Sequence, residues 1–286
     1  MILPNSIYKY ADLHIHSTAS DGETSPQKLG ETLSRLGVHI AALTDHDTVG
    51  GIDAFSRAFK GLMIPGIELS LIFEDEDVHL LGYGFDFHNE ILLERLRYYQ
   101  EMRRQRIVKI CEKLNDLGFD IHYEAVFATA AKTQAPGRPH VARVMMEKGF
   151  VKSYEEAFQK YLGFGKAAYI PKAKMSLDEG IELLHQAQGL AVLAHPALCR
   201  SESVWRKALD YPLDGIEIFH PSHNEKFSEG LMKICQEKKL AVSGGSDYHG
   251  DWETRDRLGE YGLNLDMWIL FKKRLKDKNT YIVTYL

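Results

Sequence analysis

Short apolar runs recur along this chain at 10–15, 38–43, 62–64, 67–72, 78–83, 190–194, 215–219 and 240–242, and most give out onto a histidine or a carboxylate. The runs are rich in Val, Ile and Leu and lack strict alternation, which suits strands buried on both faces of a parallel sheet. Helical stretches separate several of them. Ser25-Pro26 supplies an N-cap followed by proline at the first helical position, and Gly37 supplies a C-cap, so 25–36 reads as a helix. Ser176 with Glu179 makes a capping box for a helix that stops at Gly189, and 225–239 reads as another. Strand–helix alternation of this kind predicts a parallel α/β architecture.

In a β/α barrel the carboxyl ends of the strands converge on one face, and that face carries the chemistry. His14 and His16 close the first run and Asp45-His46-Asp47 the second. Glu68 follows Pro65-Gly66, and His79 lies in the next run. His195, then Glu217 and His220, then Asp247 and His249 close the last three. Independent surface histidines would not keep this phase, so the pattern predicts one shared site. His14 and His16 flank Ile15, and residues two apart on an extended strand face the same way. Asp247-Tyr248-His249 repeats that spacing, and Asp21 lies in a turn that can bend back toward the first pair. His39, His88, His122 and His185 fall outside the phase and read as structural or exposed.

Imidazoles and carboxylates without thiolates suit Mn, Fe or Zn held by nitrogen and oxygen. One ion takes three or four such groups, so this set implies two or three divalent ions. Glu68, an acid in an apolar setting, is the choice for a carboxylate shared between ions. His46 reads as a ligand, whereas Asp47 can instead cap a helix beginning near Thr48.

Between Tyr83 and Leu190 the strand pattern stops. The stretch 89–117 is helical in period and locally basic, with Arg103, Arg104, Arg106 and Lys109. Pro136-Gly137-Arg138-Pro139-His140 turns into a helix at 141–148, and another follows at 154–161. A helix start beside an arginine is an anion site, which makes Arg138 and His140 candidates for a phosphate. The expected organisation is a barrel over 1–98 and 171–286 with a helical insertion, a substrate cap, over 99–170. Glu74-Asp75-Glu76-Asp77 reads as an exposed acidic loop.

A net charge of −5 argues against a broad nonspecific nucleic-acid binder. Cys111, Cys199 and Cys235 are scattered, as expected of reduced thiols. The opening residues are too short and polar for a signal peptide, and no run approaches a membrane span. The expectation is a cytoplasmic protein with no membrane contact and no obligate protein partner.

The motifs DLHIHSTASDG, ALTDHDTVGG, PGIELS, VHLLGYGFD, GRPHVAR, LAHP, GIEIFHPSH and GGSDYHG occur in this order over nearly the whole chain. Together they resemble the polymerase and histidinol phosphatase (PHP) phosphoesterases. The likeness is strongest to the stand-alone branch with 3',5'-nucleotide bisphosphate phosphatases and 5'-to-3' exoribonucleases. The resemblance implies a distorted (β/α)7 barrel with a trinuclear metal site. It assigns His14, His16, Glu68 and Asp247 to one ion, Glu68, His79 and His195 to a second, and Asp21, His46 and His249 to a third. It also implies that Arg138 and His140 meet the substrate phosphate, with His223 placed to contact it. Tyr248 stands where Phe is more usual.

The expected activity is hydrolysis of phosphate esters of nucleotides, or of the 5' ends of short single-stranded RNA, by metal-activated hydroxide. Glu68, His249 and Arg138 are the residues expected to act in the chemistry, and Arg103 and Arg106 to bind a second phosphate if they face the cleft. The rivals are a histidinol-phosphate phosphatase, a metal-stabilised binding module without turnover, and an amidohydrolase, for which no bridging lysine stands out.

Overall fold

The computed structural model describes residues 10–129, 136–171, 175–250 and 257–277. Contacts divide the chain into two compact units: Met1–Glu94 with Met175–Leu286, and Arg95–Lys174.

The first unit carries the strands β1 (Ala11–Asp12), β2 (Ile40–Leu43), β3 (Leu62–Phe73), β4 (Glu76–Tyr83), β5 (Met175–Ser176), β6 (Leu190–Leu193), β7 (Gly215–Phe219) and β8 (Ala241–Gly244). They form one sheet in the order β1-β2-β3-β4-β6-β7-β8, with β5 on β3. The pairs β1–β2, β2–β3, β6–β7 and β7–β8 are parallel, as the alternation predicts.

β4 departs from that expectation, because it runs antiparallel to both β3 and β6. The cause is local. Only Glu74 and Asp75 separate β3 from β4, with φ of 50° and 61°, a two-residue hairpin turn that cannot make a parallel crossover. The acidic stretch 74–77 is therefore a hairpin tip. The runs at 62–64 and 67–72 are also one strand. β3 pairs with β2 up to Pro65 and with β4 from Gly66 onward. Proline, which lacks an N–H, sits where the pairing changes partner.

Helices α1 (Pro26–Leu36), α2 (Ile52–Ala58) and α3 (Glu90–Asp116) follow in order; α3 crosses from the first unit into the second. The Ser25 side chain accepts from Lys28 N, and Gly37 closes α1 at φ 77°, both as the sequence indicates. The second unit continues with α4 (Tyr123–Thr129), α5 (Arg138–Glu147) and α6 (Tyr154–Ala157), which runs on as a wider turn to Leu162. Ile107, Ile110, Leu114, Val126, Val141 and Met145 are among its core residues, and no strand occurs among its described residues. Back in the first unit lie α7 (Leu177–Gln186), α8 (Glu202–Ala208), α9 (Glu225–Lys238) and α10 (Leu265–Asp277). Glu179 accepts from Ser176 N and Oγ, completing the capping box of α7. Among the described residues no helix is long and apolar enough to cross a membrane.

Backbone bonds continue beyond the strand ends. Leu13 N donates to Gly244 O at 3.2 Å, Asp247 N to His14 O at 2.9 Å and His16 N to Tyr248 O at 2.9 Å. These bonds tie the segment after β1 to the segment after β8, the two ends of the sheet order.

Candidate metal centre

The same extensions build the site. Thr44 N donates to Ile15 O, Glu68 N to Asp45 O, Asp47 N to Glu68 O, and Ala194 N to His79 O. They set His14 and His16 beside Asp247 and His249, His46 beside Glu68, and His79 beside His195. His79 reaches the site from the first half of its strand because β4 runs against its neighbours. Leu13 and Ile15, which alternate with the two histidines, are fully buried, so this segment is covered on both faces.

Glu68 lies at the centre, buried in the middle of β3 rather than at a strand end. Its Oε2 is 3.2 Å from His14 Nε2, 3.1 Å from His16 Nε2 and 3.2 Å from His46 Nδ1. Its Oε1 is 2.8 Å from His79 Nδ1 and 2.9 Å from His195 Nε2. Asp247 Oδ1 lies 3.3 Å from His14 Nε2 and 3.2 Å from His16 Nε2. Asp21 lies 3.5 Å from His249 Nε2 and 3.7 Å from His46 Nε2. The nine residues His14, His16, Asp21, His46, Glu68, His79, His195, Asp247 and His249 thus converge around one buried carboxylate. His46 faces Glu68 with one ring nitrogen and Asp21 with the other.

Electrostatics express the same crowding. Burial alone would raise Glu68, but the imidazoles of His46, His79 and His14 hold it well below the usual carboxylate range. Burial would lower His16, but hydrogen bonds with Asp247 and Glu68 push it up to about 10. Burial wins at His46 and takes it down to about 4. Asp47, His195 and Asp247 have φ of 52°, 21° and 49°, left-handed values that cost strain in non-glycine residues and cluster at functional sites.

The residues fit a cluster of cations. His14 Nε2 and His16 Nε2 face each other at 3.1 Å over the same carboxylate oxygen. Buried His16 Nδ1 and His46 Nδ1 make no hydrogen bond, which a bound ion beside them would relieve. Among the described residues four groups of donors have their ligand atoms within 4.8 Å of one another: His14, His16, Glu68 and Asp247; His46, Glu68 and His79; His16, Asp21, His46 and His249; and His14, Glu217 and His220.

Two residues of the strand-end pattern gain a role that the ligand assignment omitted. Glu217 is fully buried on β7. Its Oε1 lies 2.9 Å from His14 Nδ1, and its Oε2 accepts from His195 N at 2.8 Å. His220 Nε2 lies 3.2 Å from Asp247 Oδ2, and its Nδ1 is 2.7 Å from Ser222 Oγ. The phase of the pattern flagged both.

Asp47 does not cap a helix. α2 starts at Ile52 behind Gly51, and the Asp47 carboxylate accepts from Ser70 N at 2.8 Å, bracing β3. Asp45 accepts from Ser17 N, Ser17 Oγ and Ser20 Oγ at 2.6–2.7 Å, which fixes the turn leading to Asp21.

His223 is half-buried; its Nδ1 lies 2.8 Å from Ile218 O and its Nε2 accepts weakly from Ala197 N at 3.4 Å. Burial takes it down to about 4. The remaining candidates lie in the second unit. Arg138 Nη1 donates to Leu162 O at 3.0 Å, and His140 Nδ1 accepts from Gly137 N at 3.1 Å in a capping interaction for α5. Arg106, buried on α3, donates from Nε to Ile170 O at 2.8 Å. Burial, with Arg138 and Arg103 close by, brings Arg106 down to about 10.

The PHP domain family model matches residues 12–170. A 5'-3' exoribonuclease of Haemophilus influenzae is 34% identical over 272 residues, spanning 91% of this chain and 95% of that protein. A 3',5'-nucleoside bisphosphate phosphatase of Chromobacterium violaceum is 29% identical over 250 residues, spanning 85% of this chain and 88% of that protein. A solved structure from Bifidobacterium adolescentis, described as a metal-dependent phosphoesterase, matches with a TM-score of 0.77 at 29% identity. That match covers 95% of this chain and 97% of the other.

Proposed function

This chain belongs to the PHP domain family, and on that premise we propose that it hydrolyses phosphate esters of nucleotides, namely 3',5'-nucleoside bisphosphates and the 5' ends of short RNA. The observation that carries the reading is Glu68, one buried carboxylate with imidazole nitrogens within 3.2 Å of both its oxygens. The named activities of the exoribonuclease and bisphosphatase relatives supply the substrate class. The strand-end bonds from Leu13 to Gly244 and from His16 to Tyr248 support a distorted (β/α)7 barrel.

His14, His16, Glu68 and Asp247 would hold one divalent ion, Glu68, His79 and His195 a second, and Asp21, His46 and His249 a third. Mn, Fe or Zn suits this nitrogen and oxygen donor set. Bound ions supply Lewis acidity toward phosphoryl oxygens and lower the pKa of water. The chain does the rest. Glu68 spans two ligand sets with its two oxygens and fixes their spacing. His249, at the Asp21 side of the cluster, would present Nε2 to the third ion, with its Nδ1 held 3.0 Å from Asp247 O. Arg138 and His140 would receive the substrate phosphate, with Arg103 and Arg106 adding charge for a second one. In this reading 1–98 with 171–286 forms the barrel, and 99–170 is a helical insertion that serves as a substrate cap. His223 is the weakest of these contacts, since both its ring nitrogens face backbone groups. A cytoplasmic site of action is supported by the three unpaired cysteines.

The test is phosphate release by the Mn-loaded full chain from adenosine 3',5'-bisphosphate, a short 5'-phosphorylated RNA and histidinol phosphate. Turnover of the first two, lost in Glu68→Gln, supports the reading. Turnover of histidinol phosphate alone overturns it.

A further inference from the structure

Phe164 is the most exposed large apolar side chain among the described residues, at 82%. It stands between Gly163 and Gly165, the latter at φ 71°, where a side chain would be strained. The loop is nevertheless built. Gly163 N donates to Phe158 O, Lys166 N to Gly163 O, Ala168 N to Tyr161 O, and Tyr169 N to Lys166 O. Both ends are clamped by arginines, Leu162 O by Arg138 and Ile170 O by Arg106.

Chemistry is graded along this loop. The Arg138 guanidinium sits 5.6 Å from the Tyr169 ring centre and 5.4 Å from that of Phe158. Tyr169 in turn packs against Phe164 at 5.4 Å, with the rings 66° apart. A cation at the foot is thus joined through one aromatic ring to an aromatic at the tip. The segment from Gly163 to Tyr169 contains Lys166 and no carboxylate. A positive foot with an exposed aromatic tip is the pairing that proteins use for single-stranded nucleic acid: charge takes the phosphate and the ring takes a base.

We propose that the Gly163–Tyr169 loop is a nucleobase-stacking subsite, in which Phe164, backed by Tyr169, takes a base of the substrate whose phosphate meets Arg138. The inference rests on the nucleotide reading above and sharpens it. It makes the preference for nucleotides over smaller phosphate esters a property of this one ring. Stacking is tolerant of base identity, because every base has a π-face. The subsite would favour nucleotides as a class without reading their sequence.

The test uses the full Mn-loaded chain as wild type, Phe164→Ala and Phe164→Trp. Two substrates are compared, adenosine 3',5'-bisphosphate and the base-free deoxyribose 3,5-bisphosphate. The ratio of their kcat/KM values should fall about tenfold in Phe164→Ala, through KM for the nucleotide, and recover in Phe164→Trp. A second readout avoids turnover: quenching of a 2-aminopurine nucleotide on binding to the metal-free chain, present in wild type and Phe164→Trp and lost in Phe164→Ala. An unchanged ratio and unchanged quenching overturn the inference. So does a variant whose only change is a weaker self-association in sedimentation, which would assign Phe164 to contact with a second copy of the chain. A wild type that quenches the nucleotide without hydrolysing it sinks the proposed function and leaves the subsite standing.

Discussion

Replacing Glu217 by glutamine tests whether the metal centre depends on a residue outside its ligand set. The carboxylate performs two tasks at once: its Oε1 meets His14 Nδ1 at 2.9 Å and its Oε2 accepts from His195 N at 2.8 Å. Both partners donate when His14 points Nε2 at the ion site. Glutamine has one acceptor and one donor group, so either His14 or His195 faces an N–H in place of an oxygen. The site is fully buried, and water cannot make good the loss. One charge-assisted hydrogen bond is worth about 1.5–3 kcal/mol, and loss of a carboxylate that orients a ligand typically weakens metal binding about 10–100-fold. Both arguments predict that Glu217→Gln binds Mn about 10–100-fold more weakly by chelator competition. The ion-to-protein ratio at saturation should stay at the wild-type value. His195 adds a second consequence. It sits at φ 21° and its N–H is the group that Glu217 holds, so the apo variant should also melt lower than apo wild type. A folded Glu217→Gln with wild-type Mn affinity would refute the reasoning. A drop in stoichiometry would mean that Glu217 is itself a ligand, in the group it forms with His14 and His220.

Metal and protons should compete at the histidines. Burial opposes the charge on His16, but Asp247 and Glu68 raise it from the ordinary 6.5 to about 10. A raised histidine stabilises the metal-free chain fully below about pH 6.5 and loses that contribution as pH climbs toward about 10. The melting temperature of the apo protein should therefore fall across that window while apparent Mn affinity rises, and a flat apo profile would contradict it. Gly245→Ala should be severe, because a Cβ there would overlap the backbone nitrogen and Cβ of His14. The expected cost is about 1–3 kcal/mol or more, read by thermal melting, together with reduced Mn loading. Asp47→Ala frees Ser70 N inside a buried strand and should cost about 1–3 kcal/mol, whereas a helix-cap role would predict only about 1 kcal/mol and no change at β3.

The fold was legible wherever a local rule had no competitor. Ser25 and Gly37 bound α1 as capping chemistry requires, and Ser176 with Glu179 does so for α7. The direction of β4 is not legible in its residues, because an apolar run has no direction of its own. The information lay in the connection, where Glu74 and Asp75 leave room only for a hairpin. The 62–64 and 67–72 runs are separated by Pro65-Gly66, signals that elsewhere end a strand. Here they mark the point at which one strand exchanges β2 for β4.

The metal centre was legible for a different reason. Parallel strands that end on one side force the residues just past their ends into proximity, so a periodic signal in one dimension becomes a cluster in three. That logic locates residues and does not assign their work. Asp45, Asp47, Asp247 and Glu217 all lie in or just past strands, yet they do different things. Asp247 faces His14 and His16, Glu217 orients His14 and holds His195, Asp45 fixes the turn at 17–20, and Asp47 braces Ser70. A carboxylate in such a place can bind a cation, cap a helix or accept from a distant amide, and its neighbours in sequence are compatible with all three. The partner that decides lies 22 or more residues away in these cases, from His195 for Glu217 to Ser17 for Asp45. Role at such a site is therefore a property of strand pairing, and any substitution that shifts the pairing of β3 or β7 should change which carboxylates serve the cations.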